Sequence, residues 1–159
     1  MLGAGHSWPR SAAPGLAAVA ACLLSATASG QEQISAGQRV YLAVYSAIGF
    51  ASQEKVDVAV TLSFRNLDER MPITIESALY YDTDGRQITD LLEAPRTLAP
   101  FGSTQVLIKQ TDFSGDVGAN VVVEWSAGGP AAQPLFEAVM VGSRGTQAFA
   151  FTSRGVVLE

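Results

Sequence analysis

The chain has 159 residues, 48% of them apolar, and a formal charge of −5. That length suits one domain around a single core and leaves no room for two. The ten basic residues are scattered with no two adjacent. This excludes the concentrated patch that nucleic acid requires and disfavours an anionic membrane surface.

The first thirty residues read as an export address. After Arg10, the run Ser11 to Ser25 is small and apolar. Ala26-Thr27-Ala28 and Ala28-Ser29-Gly30 then offer small-x-small cleavage sites before polar Gln31-Glu32-Gln33. These are the three regions of a secretory signal peptide. The expected organisation is a signal peptide over 1–30 and one domain over 31–159. The periplasm is the expected compartment, with the outer membrane or the medium as alternatives. The apolar run from Leu16 to Leu24 is about half of the roughly 20 residues that a membrane span needs. Val19-Ala20-Ala21-Cys22 resembles a bacterial lipobox, which gives a second outcome: a lipid anchor at Cys22, the single route to a membrane. Simple cleavage is preferred, because a lipobox cut would shorten the apolar region and leave Leu23-Leu24 beside the lipid. Cys22 is the chain's one cysteine, so the cleaved form has no disulfide. Loss of Arg10 leaves nine basic against fifteen acidic side chains, a formal −6.

Downstream, short alternating segments follow one another. Val40, Leu42 and Val44 oppose Tyr41, Ala43 and Tyr45. From Val56 to Arg65 the alternation is strict, with Val56, Val58, Val60, Leu62 and Phe64 on one face. Ile73 to Tyr81 alternates again, and Thr83-Asp84-Gly85 turns the chain so that Gln87 to Leu92 returns as a hairpin partner. Ser103 to Lys109, Asn120 to Ser126, Leu135 to Val141 and Gln147 to Thr152 complete the set, separated by turns rich in Gly, Pro and Ala. Segments of this kind at intervals of roughly ten residues predict an all-β antiparallel sandwich of seven to nine short strands. The expected variant is immunoglobulin- or fibronectin-like, with Trp125 and the Phe residues between the sheets.

The one histidine, His6, lies in the export segment. A domain without His or Cys cannot build a Ser-His-Asp triad, a Cys-His pair or a His-ligated metal centre. A non-enzymatic protein without a cofactor is therefore expected. Asp82-Thr83-Asp84-Gly85 opens like a calcium loop, but Arg86 and Ile88 break the ligand spacing, and a hairpin turn is the simpler reading. The loop from Asp112 through Asp116 to Asn120 can present oxygens to a cation or sugar; its simpler reading is a solvated crossover. Asp116 and Glu124 are the one carboxylate pair weighed for glycoside hydrolysis. Tyr41 and Tyr45, read as sharing a strand face, are candidate contacts for a sugar or a protein partner. Arg154 is read as a structural ion-pair donor.

Thr61-Leu-Ser-Phe-Arg-Asn66, Tyr80-Tyr-Asp-Thr-Asp-Gly85, Ser114-Gly-Asp-Val-Gly-Ala-Asn120, Val123-Glu-Trp125, Glu137-Ala-Val-Met-Val-Gly142 and Phe151-Thr-Ser-Arg-Gly155 fall in one order. In these motifs the chain resembles a bacterial family catalogued as domain of unknown function 3124, over about residues 38 to 157. The resemblance implies a small exported or lipid-anchored protein and brings no catalytic residue. It also implies a His shortly after the Val-Tyr-Ser segment, where this chain has Val44-Tyr-Ser-Ala-Ile-Gly-Phe50. The functional expectation is an envelope module that engages another exported protein through a sheet edge or end loops. The alternative is a sugar or calcium domain using loops 82–85 and 112–120.

Overall fold

The computed structural model describes residues 34–50 and 54–158; the export segment and Cys22 lie outside the described residues. Eleven strands form and no helix among those residues. They are β1 (Ile34–Ala43), β2 (Ala47–Phe50), β3 (Glu54–Arg65), β4 (Ile73–Tyr81), β5 (Gln87–Asp90), β6 (Arg96–Leu98), β7 (Ser103–Ile108), β8 (Asn120–Ala132), β9 (Leu135–Arg144), β10 (Gln147–Arg154) and β11 (Val156–Val157). All pairings are antiparallel. One sheet runs β11-β1-β8-β4-β5, with β6 also on β4; the other runs β10-β9-β3-β2, with β7 also on β3.

Alternation decides which side chains meet between the sheets. Register places Val40 beside Val123 and Leu42 beside Val121 in the first sheet, and Val123 in turn beside Ala78. In the second sheet Val60 lies beside Met140, Leu62 beside Ala138, and Phe64 beside Phe136. All of these are buried in one cluster with Trp125, Tyr80, Ile73 and Ile75. Full burial of each large aliphatic chain contributes about 1.5–3 kcal/mol. With no disulfide in the described chain, this apolar contact between sheets holds the fold.

Three expectations change here. The strand number is eleven, not seven to nine, because β2, β6 and β11 are two to four residues long and have no alternating run of their own. The Gly- and Pro-rich stretch after Ser126 lies within β8 at a register shift: Gly37 pairs with Ser126 but Ser35 with Ala131, so residues 127–130 have no partner on β1, while Ala127 still pairs with Ile73 of β4. Not every Phe fills the core. Phe64 and Phe136 pack edge to face at 5.3 Å, whereas Phe101 and Phe113 stand exposed.

The chain changes sheets near its C-terminal end. β10 belongs to the second sheet, and β11 pairs with Val40 and Tyr41 of the first. Gly155 makes the crossing, its N–H donating to Phe136 O. A Cβ there would lie 2.6 Å from Val40 Cγ1, so the close approach requires glycine.

Candidate functional site

The candidate residues divide between one end of the sandwich and the outer face of its first sheet. At the end, residues 44–46 cross over the core. Val44 N–H donates to Ala119 O and Ser46 N–H to Asp116 O. Beneath them the hydroxyls of Ser46 and Tyr80, both buried, lie 2.6 Å apart. Burial raises the Tyr80 phenol above its ordinary range.

The two acidic loops meet at this end. Thr83 Oγ1 donates to Gly115 O at 3.1 Å and accepts from Gly118 N–H at 3.0 Å. Their carboxylates are individually engaged. Asp82 accepts from the backbone N–H of Arg86 and of Asp84 and from the Arg86 guanidinium, which also reaches Asp84 at 2.9 Å. These bonds, the backbone one to Arg86 foremost, lower the Asp82 carboxyl below its usual range. Gly85, at φ 77°, completes the turn. Asp116 holds Lys55 with both oxygens at 2.7 Å and is lowered by that bond. Asp112 accepts from the N–H and hydroxyl of Ser114. Among the described residues no group of three or more His, Cys, Asp or Glu side chains could hold a metal ion. Glu124 stands outward on β8, four residues along the strand from Asn120, whereas Asp116 belongs to the end loop.

Tyr41 and Tyr45 do not share a face, because β1 ends at Ala43 and frees Tyr45 from the alternation. Tyr45 turns to pack edge to face on Phe151 at 5.7 Å. Tyr41 stays on the outer face of the first sheet, where it is joined by residues the motifs did not single out. Val156, Tyr41, Val122 and Leu79 occupy directly paired positions on β11, β1, β8 and β4. Val156 is 63% exposed and Tyr41 36%, while Val122, on the other side of Tyr41 from Val156, is only 9% exposed. Asn120 lies in the adjacent row between Ala43 and Tyr81, so the structure brings Tyr41 and Asn120 onto one surface. On the other side, Arg39 stands opposite Glu124. The sequence signal for this row was Val121-Val122-Val123, which places an apolar residue where an outward position is usually polar.

At the opposite end, Asp68 accepts from the backbone N–H of Arg70, Met71 and Ala132, with Met71 the largest cause of its lowered carboxyl. Buried Asn66 donates to Met71 O, Leu98 O and Ala99 O. These polar groups tie loops together.

The arrangement defines a two-sheet, all-β domain, with Val156 and Tyr41 exposed on the outer face of its first sheet. The chain belongs to the family described as Protein of unknown function (DUF3124), whose model matches residues 37–158. Among solved structures it is similar to one described as Crystal Structure of Thermotoga maritima 1070. The identity is 8%, the match covers 75% of this chain and 92% of that one, and the TM-score is 0.47. A comparison with curated proteins found no match.

Proposed function

We propose that the protein is an exported, non-enzymatic interaction module of the bacterial envelope, built as an immunoglobulin-like sandwich, which binds another exported protein on the outer face of its first sheet. The observation carrying this reading is the apolar row Val156, Tyr41, Val122 and Leu79. With strands about 4.8 Å apart, a row across four of them spans about 14 Å. A small ligand needs a concave pocket. An apolar row exposed at Val156 and Tyr41, with a polar border of Arg39, Glu124 and Asn120, suits a protein surface instead. The N-terminal sequence supports export, and the absence of His and Cys from residues 31–159 supports a role without catalysis.

Site-specific photocrosslinking in living cells tests the placement. A photoreactive residue at position 41 should trap one envelope protein, and one at position 139, on the outer face of the other sheet, should not. Val156→Lys should reduce the adduct at least tenfold. Equal trapping from both faces, or an adduct indifferent to Val156→Lys, overturns the assignment. N-terminal sequencing of the recovered chain reads the export step: a start near Gln31 or at Cys22 is expected, and an intact Met1 overturns it.

A further inference from the structure

Sheet edges expose unpaired backbone groups, and proteins guard them with short strands, charges or cover. Among the described residues this chain guards most of its edges. β2, β5, β6 and β11 have two to four residues. β7 has six, and the Arg96 guanidinium reaches across to Thr104 Oγ1 at 3.0 Å. β10 differs. It runs eight residues, Gln-Ala-Phe-Ala-Phe-Thr-Ser-Arg, without Pro, Gly, Lys, Asp or Glu, and its one charge is the terminal Arg154. It pairs with β9 on one side, and among the described residues no strand pairs with it on the other.

The turn shows which backbone groups face outward. Gly145, at φ 60°, takes the first position of a two-residue hairpin turn, and Arg144 pairs with Gln147. Such a turn closes on a hydrogen-bonded pair, and bonded and non-bonded pairs then alternate. Gln147, Phe149, Phe151 and Ser153 therefore bond towards β9. Ala148, Ala150 and Thr152 present their N–H and C=O to the open side.

We propose that β10 joins two copies of this chain, antiparallel, about a two-fold axis at Ala150. This register sets Ala148 opposite Thr152 and Ala150 opposite itself on the outer face, so no bulky side chain crowds the junction. On the inner face Phe149 lies opposite Phe151, a favourable class of cross-strand pair. Gln147 meets Ser153, and Arg154 falls opposite Thr146, so no like charges oppose. Self-complementarity of this kind is what a two-fold contact requires. It distinguishes a second copy from an unrelated strand, which would gain only the backbone bonds. Joining merges two five-stranded sheets into one of ten strands.

Sedimentation of the processed chain over a range of concentrations gives the test. The wild type should sediment as a dimer that dissociates on dilution. Ala150→Lys and Ala150→Glu, each placing like charges on the axis, should be monomers at least tenfold above the wild-type midpoint. An equal mixture of the two should dimerise again. Amide exchange reads the same contact without substitution: Ala148, Ala150 and Thr152 should be protected in concentrated solution and open in dilute solution. A wild type that stays monomeric overturns the proposal, as do a lysine variant that still dimerises and three amides equally open throughout. Val156→Lys should leave the dimer intact, which separates this contact from the partner-binding face.

Discussion

Phe101 shows how one residue's backbone can work against its side chain. Ala99 O accepts from Gly102 N–H at 2.7 Å, closing a turn with Pro100 second and Phe101 third at φ 57°. That third position calls for glycine or asparagine, since a Cβ there crowds the backbone at a cost of about 1–2 kcal/mol. Phe101 recovers little from packing, being 70% exposed. Phe101→Asn should therefore raise stability by about 1 kcal/mol, seen as a higher urea midpoint at unchanged slope. A lower midpoint would mean that the ring packs after all. Proline and glycine marked this turn in the sequence; the φ of the residue between them was not legible, because phenylalanine rarely adopts it. Trp125 was legible as core from size and alternation together. Tyr45 was not, because its position depends on where β1 stops.

At the scale of elements, the long strands were read from period-two alternation and β5 from the Asp-Gly turn before it, whereas β2, β6 and β11 were missed for a physical reason. A strand of two to four residues is created by the partner that accepts it, and carries no pattern of its own. β9 and β10 show the opposite case, in which pairing dictates composition. Gly142 lies between Val58 and Phe149, and a Cβ there would approach the Phe149 ring to 2.6 Å and Val58 Cγ1 to 2.8 Å. Gly142→Ala should cost about 1–3 kcal/mol through displaced side chains, measurable by thermal or urea unfolding. Gly128, with nothing within 4 Å of an added Cβ, is the control and should change by less than about 0.5 kcal/mol. The outer face was half legible: Tyr41 and, one row away, Asn120 were named from the sequence, but Val156 joins Tyr41 through the pairing of β11 with β1.

Over the whole molecule, charge bounds the range of stability. Asp68, Asp82 and Asp116 ionise below their ordinary range because backbone N–H groups, Arg86 and Lys55 favour the carboxylate. Their unfolded counterparts titrate near about 3.9. The contribution of each is thus complete above that pH and is lost as pH falls through the folded values. Tyr80 has the opposite sign: burial raises it, so its contribution is complete below about 10 and is lost as pH rises further. Tm should form a plateau falling away on both sides, and the gap between wild type and Asp68→Asn should be widest at neutral pH and close in acid. A gap of constant size would assign the Asp68 effect to shape instead of charge.

The pairing of Val40 with Val157 has a consequence in time. A chain made from its N-terminal end delivers β1 early and β8 some eighty residues later, so the first strand must wait for its main neighbour. It waits longer for β11, which closes its other edge, and local structure cannot shorten that delay. Until residue 157 has emerged, the nascent domain keeps the edge of β1 open to any strand that comes near. Assembly of this edge is therefore set by the arrival of β11, and a carrier that shields the early strands has its work to do before that moment.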